Sequence, residues 1–232
     1  MIESLLAGFV VAFGTMSYLK VGGAVGALLY SITILSIVYY DLDLFVGKSG
    51  VLTARKTDYV ELFLILLGNF IGVTVIASAL FLIPGYGEPF GELSEQILTK
   101  HFGYGIDGLF VVSVFAGMVM YAGITAYEKT HIWVMLCLPI MMVVMCGWPF
   151  IVSEFFMFIG VREYWVKAYY LIPIFLGNFL GSNLFPFLRR RSKRFKNEYA
   201  VIEQEPGIGD KLRQSLNIPK SSDQNMDSPE HK

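Results

Sequence analysis

Six stretches of this chain are apolar, and its polar residues are gathered into the connections between them. The stretches approach the length of about 20 helical residues that spans the hydrocarbon core of a bilayer. They lack the alternation of apolar and polar residues that is typical of membrane β-barrel strands. The pattern therefore predicts six membrane-spanning helices. The predicted spans are residues 4–19, 24–40, 60–83, 109–126, 132–150 and 169–188.

Two of the predicted spans contain nearly the same six residues. The third reads Leu-Gly-Asn-Phe-Ile-Gly around Gly68 and Asn69, and the sixth reads Leu-Gly-Asn-Phe-Leu-Gly around Gly177 and Asn178. A repeat of membrane segments indicates an internal duplication of two three-span halves. Because three is odd, the two copies are predicted to face opposite ways across the membrane. Duplications of this kind place a solute path between the halves.

Lysine and arginine are unevenly distributed, and this sets the predicted orientation. Residues 1–188 hold 8 Lys and Arg against 12 Asp and Glu, whereas residues 189–232 hold 10 against 7. Cytoplasmic segments beside membrane spans are enriched in Lys and Arg, so the basic tail and, with six spans, the amino terminus are predicted to be cytoplasmic. The connection with Arg55 and Lys56 is predicted inside, and the acidic loop 84–107 outside.

The chain is thus predicted to have a six-helix membrane domain at residues 1–188 and a tail at residues 189–232. The tail is basic at first and then polar, without apolar periodicity, so we expect it to be disordered in the cytoplasm. The predicted location is the plasma membrane, the inner membrane of a cell that has two.

Helix-breaking residues interrupt one span in each half. A polar stretch with glycines at residues 41–50 follows the second span, and a Gly-Trp-Pro sequence at residues 147–149 lies in the fifth. Glycine and proline free backbone groups from the helical ladder, and at membrane depth those groups must line a cavity or be covered by protein. Interrupted segments at corresponding places predict a transport path. The alternative is that both are ordinary loop ends outside the membrane.

In their order along the chain, these motifs resemble the formate/nitrite transporter family. Residues 44–47, Leu-Phe-Val-Gly, are similar to the family's Leu-Phe-Thr-Gly in a broken second helix. The Gly-Asn pairs match those of its third and sixth helices. Residues 146–150, Cys-Gly-Trp-Pro-Phe, stand where the family has Gly-Phe-Glu-His in a broken fifth helix.

The resemblance covers residues 4–188 and implies an all-α, aquaporin-like bundle of six helices in two inverted repeats. It implies a homopentamer in the lipid bilayer with one path per subunit. The implied solutes are small monovalent anions such as formate, nitrite, lactate and hydrosulfide, or their neutral acids. The residues themselves show no nucleophile–base pair, metal-ligand spacing or phosphate loop, so we predict no enzyme, metal, cofactor or nucleic-acid partner.

The resemblance also assigns residues to the path. Asn69 and Asn178 would lie on packed helices beside it, and Gly68 and Gly177 would either pack helices closely or face the path. The constriction is predicted to consist of Leu44, Phe45, Val46 and Phe150. The other residues of the two breaks are Gly47, Lys48, Gly147, Trp148, Pro149 and Glu154.

Polar groups of the family pattern are absent at both breaks. Val46 stands where the family has threonine, Pro149 where it has glutamate and Phe150 where it has histidine. A histidine there would donate to a weak acid's anion or pass it a proton, since its pKa lies near neutrality. Valine and phenylalanine can do neither, which predicts an unusually apolar constriction and slow anion flux. The chain has three histidines, and all of them are predicted to lie in loops or in the tail: His101, His131 and His231.

Two charged residues lie close to the breaks. Lys48 would either attract an anion or extend into solvent as an ordinary lysine, and Glu154 would either line the path or mark its external mouth. Three functions stay open at this point. The chain passes small anions or their neutral acids, passes a different and neutral solute, or is a non-conducting scaffold whose tail binds a partner.

Overall fold

A computed structural model describes residues 1–50 and 56–204, and every regular element in those ranges is a helix. The elements are α1 Ile2–Val21, α2 Gly23–Tyr39, α3 Phe45–Ser49, α4 Lys56–Phe81, α5 Glu88–Gly103, α6 Gly105–Thr130, α7 Val134–Cys146, α8 Ile151–Gly160, a 3₁₀ helix Arg162–Tyr170, and α9 Leu171–Gln204.

Four of these helices, α1, α4, α6 and α9, contain stretches long and apolar enough to cross a membrane. Together α7 and α8 make a fifth such segment, bent by 47° at its break. The remaining segment consists of α2, an apolar helix of 17 residues, and the short α3 that follows a second break. These segments correspond to the six predicted spans. The all-α fold with broken second and fifth helices is confirmed.

Helix α4 carries a stripe of large apolar side chains on its outer face. Val60, Phe63, Leu67, Ile71 and Val75 recur every three or four residues, and all are exposed on the single chain. Soluble monomers rarely expose apolar surface of this extent. The stripe is therefore suited to contact with lipid or with another subunit.

Close helix crossings occur at equivalent places in the two halves. A Cβ atom added to Gly68 on α4 would lie 2.6 Å from Cβ of Ser4 on α1, and one added to Gly177 on α9 would lie 2.5 Å from Cβ of Ser113 on α6. Real Cβ atoms do not approach each other so closely, so only glycine permits these crossings. The glycines of the repeat lie where helices pack.

The predicted external loop, residues 84–107, contains the helix α5. Its buried residues Phe90, Ser94, Leu98 and His101 recur every three or four positions and form one buried face. This helical periodicity is visible in the sequence, but the polar composition of the segment concealed it.

The last helix extends farther than predicted. Helix α9 runs through Gln204, so the first part of the predicted disordered tail is helical. Lys, Arg and Glu are good helix formers, and this propensity outweighs their polarity. Arg55 and residues 205–232, which carry parts of the orientation and tail predictions, lie outside the described residues.

Candidate functional site

An asparagine of the third span closes the break before α3. Oδ1 of Asn69 accepts a hydrogen bond from the backbone N–H of Phe45, the first residue of α3, at 2.9 Å. Its Nδ2 donates to the carbonyl oxygens of Asp43 at 2.8 Å and Ser4 at 2.7 Å. A single buried side chain thus satisfies backbone groups of the broken helix that lack helical partners.

The asparagine of the sixth span closes the break before α8 with the same three bonds. Oδ1 of Asn178 accepts from the backbone N–H of Ile151 at 2.9 Å, and its Nδ2 donates to the carbonyl oxygens of Pro149 at 3.1 Å and Ser113 at 3.0 Å. In both halves the asparagine bonds a serine carbonyl 65 positions earlier. The resemblance placed the asparagines beside a path, but it gave no indication that they hold the breaks.

The residues that precede the two short helices occupy the same structural position. Leu44 has φ −100° and ψ 130°, and Phe150 has φ −106° and ψ 131°. This extended conformation turns the chain into the next helix, as is usual at an N-cap. Leu44 and Phe150 are therefore counterparts in the duplication.

A separate cavity lies beside each break. The first, here called the Lys48 cavity, has a volume of about 530 Å³, and its lining includes Asp41, Leu44, Gly47, Lys48, Glu128 and His131. The second, the Glu154 cavity, has a volume of about 60 Å³, and its lining includes Tyr18, Tyr30, His101, Phe150, Ser153 and Glu154. Gly147, Trp148 and Pro149 of the break also line the Glu154 cavity.

Helix α2 separates the two cavities with apolar side chains. Tyr30 lines the Glu154 cavity and Ile37 lines the Lys48 cavity. Because seven helical residues rise by about 10 Å, the cavities are offset by roughly that distance along α2. Ile34 lies on the same helix face between them, and all three side chains are at most 3% exposed. These three side chains, here called the barrier, form a buried and largely apolar stretch of α2 between the cavities.

Lys48 is held by two carboxylates. Its Nζ lies 3.1 Å from Asp41 Oδ1 and 3.3 Å from Asp43 Oδ1. Glu128 lines the same cavity. Of the two roles expected for Lys48, attraction of an anion is thus weakened, because nearby negative charges offset its positive charge.

The prediction that His101 lies in a loop is wrong. It lies on α5 and lines the Glu154 cavity, with Nδ1 2.9 Å from Oε1 of Glu154. Both side chains are buried, at 6% and 2% exposure. Burial lowers the pKa of His101, but attraction by the Glu154 carboxylate raises it more, so the pKa lies above its ordinary value.

Tyr30 is a residue of the site that the sequence gave no reason to select. Its hydroxyl lies 2.6 Å from Oγ of Ser153, and either group can donate. Its ring is nearly parallel to that of Phe150, with centroids 6.4 Å apart. A tyrosine within an apolar span looks like any core aromatic, since only its partner on α8 reveals its place.

Two of the four predicted constriction residues do not line either cavity. Phe45 is buried and its ring lies 5.3 Å from that of Phe175. Val46 is also buried, and its carbonyl oxygen accepts hydrogen bonds from Ser49 and Ser182, each at 3.1 Å. Both residues are buried away from the two cavities, whereas Leu44 and Phe150 border them.

The chain is similar in fold to a solved structure, a pentameric formate channel with formate bound. The match has a TM-score of 0.72 at 16% sequence identity and covers 83% of this chain and 95% of the channel's chain. No family model and no curated protein matches the sequence. At this level of identity the likeness establishes the fold.

Proposed function

We propose that the protein is a divergent member of the formate/nitrite transporter family. In this proposal it is a membrane channel or transporter for small monovalent anions such as formate or nitrite, or for their neutral acids. The observation that carries the proposal is the pair of asparagine-held breaks with a cavity beside each. The fold of a pentameric formate channel supports it.

The apolar barrier limits the form in which the solute crosses. An anion that leaves water for an apolar region loses its hydration, which costs far more than the transfer of a neutral molecule. The side chains of the barrier, Tyr30, Ile34 and Ile37, carry no positive charge. We therefore propose slow passage of the anion and faster passage of the neutral acid.

The proposed assembly is a homopentamer in the plasma membrane, with both termini in the cytoplasm and one path per subunit. The exposed apolar stripe of α4 supports burial in lipid or against a neighbouring copy. In this orientation the Lys48 cavity opens to the cytoplasm and the Glu154 cavity lies toward the exterior. Native mass measurement in nanodiscs tests the assembly, and a stable monomer or trimer would contradict it.

A solute-flux screen in liposomes tests the transport function. It covers formate, nitrite, hydrosulfide and lactate, together with a neutral solute of similar size. A Leu44→Trp variant, which fills the Lys48 cavity beside the barrier, is expected to reduce flux at least about tenfold, while the matched surface variant Val60→Trp leaves it unchanged. Flux of the neutral solute alone would point to another substrate class. No flux above that of empty liposomes would indicate a scaffold.

A further inference from the structure

One oxygen of the buried Glu154 carboxylate lacks a hydrogen-bond donor. Oε1 contacts His101, whereas Oε2 is buried and has no partner among the described residues. A buried carboxylate oxygen without a donor is costly, because charged groups lose more than neutral ones when they leave water. The site is therefore suited to a ligand or a water that donates a hydrogen bond.

The adjacent cavity has room for more than one water. Its volume is about 60 Å³, and a single water requires about 10–15 Å³. A solute of a few non-hydrogen atoms fits this space. Its lining is mostly apolar, so a neutral molecule enters more easily than a charged one.

A second hydrogen-bonding group lies next to Glu154 on α8. The hydroxyls of Ser153 and Tyr30 share one hydrogen bond. When Tyr30 donates to Ser153, the Ser153 hydrogen is free to donate to a ligand that lies in the cavity. Glu154 and Ser153 together thus offer one acceptor and one donor, which complements the hydroxyl and carbonyl of an undissociated carboxylic acid.

We propose that the Glu154 cavity is a binding site for the undissociated form of a small carboxylic acid such as formic acid. Its hydroxyl would donate to Oε2 of Glu154, and its carbonyl would accept from Ser153. The free anion has no hydrogen to donate and would place its charge against the Glu154 carboxylate. The inference rests on the proposed function and specifies the form of the substrate that this site selects.

The other titratable groups around the cavity agree with this selection. When His101 on α5 is protonated, its charge is balanced by that of Glu154, so in either state of the imidazole the site holds no surplus positive charge to attract an anion. Tyr18 on α1 and Tyr30 on α2 are the remaining titratable side chains of the lining. Lys100, beside His101, disfavours the protonated imidazole.

Infrared difference spectroscopy on the full chain in nanodiscs tests the binding site with formate as the probe. The carboxylate bands of Glu154 should shift on addition of formate. At constant total formate, the binding signal should fall about tenfold per pH unit between pH 5 and 7, because the undissociated fraction falls by that factor. At constant undissociated acid, it should not change over this range.

Two variants and a control assign the signal. Glu154→Gln should weaken binding at least about tenfold, because a charge-assisted hydrogen bond is lost, and the milder Ser153→Ala should weaken it several-fold. Glu92→Gln makes the same charge change on the exposed side of α5 and should have no effect.

A signal that follows total formate, or that Glu154→Gln retains, would overturn the inference. Absence of any formate signal would also overturn it and leave a site for water only, even if liposomes show formate flux. Binding without flux in liposomes would instead contradict the proposed transport function alone.

Discussion

The break before α3 and the break before α8 have the same backbone hydrogen bonds but different charged groups. In each, a buried asparagine binds the first N–H of the short helix and two carbonyl groups. Beside the first break, Lys48 and its partner Asp41 are exposed to solvent at 38% and 92%. Beside the second, His101 and Glu154 are buried.

This difference shows which part of a duplicated membrane protein is free to diverge. Loss of either asparagine would leave backbone groups without partners inside the protein, so the scaffold tolerates little change. The charged side chains beside the breaks do not bond to the broken backbone, and they differ between the halves. The two cavities therefore have different electrostatic surroundings.

Replacement of the break asparagines should have the largest effect. Asn69→Ala and Asn178→Ala each remove three hydrogen bonds and leave buried groups unpaired, which should destabilise the fold by about 3–6 kcal/mol. Because the hydrogen bonds of the two asparagines are equivalent, the two variants should lose similar amounts of stability. Asn183→Ala, which removes one partly buried bond to Phe179, is the matched control and should cost far less. Thermal unfolding in detergent measures all three, and a stable Asn178→Ala protein would contradict the scaffold role.

The two ion pairs should differ strongly in their contribution to stability. His101→Ala leaves Glu154 as an unpaired buried carboxylate, so we expect a loss of about 3–5 kcal/mol. Lys48→Ala removes the cation that pairs with Asp41 and Asp43, and it should lower the free energy of unfolding by less than about 1 kcal/mol. The same unfolding measurement compares them. Equal losses of stability in the two variants would show that the buried pair does not contribute more to the fold than the exposed pair.

The pH dependence of stability should come from the buried pair. The raised pKa of His101 means that its protonated form is stabilised in the fold. This contribution is complete below its ordinary value of about 6.5 and disappears as the pH rises through the raised pKa. The unfolding temperature should therefore decline above neutrality. His101→Gln should flatten the decline, whereas Lys48→Gln should not alter it.

A smaller effect is expected from histidines placed at the two N-caps. Phe150→His and Leu44→His each add a donor beside the barrier and should raise formate flux several-fold, with a titration near the ordinary histidine pKa of about 6.5. Val46→Thr is the control and should change flux little, because Val46 is buried and lines neither cavity. An increase with Val46→Thr alone would place that residue on the path.

The sequence was sufficient for the overall fold because lipid constrains it strongly. Apolar runs near bilayer length, the repeated Gly-Asn motif and the Gly and Pro residues of the breaks report directly on spans, duplication and interruption. The breaks of the structure, residues 40–44 and 147–150, overlap the predicted stretches 41–50 and 147–149, whereas residues 45–49 form the helix α3.

The chemistry of the Glu154 cavity was not predictable in the same way. His101 and Glu154 are 53 positions apart, on a connecting helix and a half-helix. No short motif links them, and a histidine in a polar segment usually lies in solvent. Tyr30 and Ser153 meet over 123 positions. Such pairs depend on how the helices pack against each other. Helix packing cannot be inferred from the composition and periodicity of single segments.

In the proposed channel, Leu44 and Phe150 border one path from opposite sides of the membrane. Single cysteines at positions 44 and 150, in a chain with Cys137 and Cys146 replaced, test it with a membrane-impermeant thiol reagent on oriented liposomes during formate flux. We expect the reagent to block Phe150→Cys only from the exterior and Leu44→Cys only from the cytoplasmic side. Reaction of both cysteines from one side, or labelling without loss of flux, would show that Leu44 and Phe150 do not border one path from opposite sides.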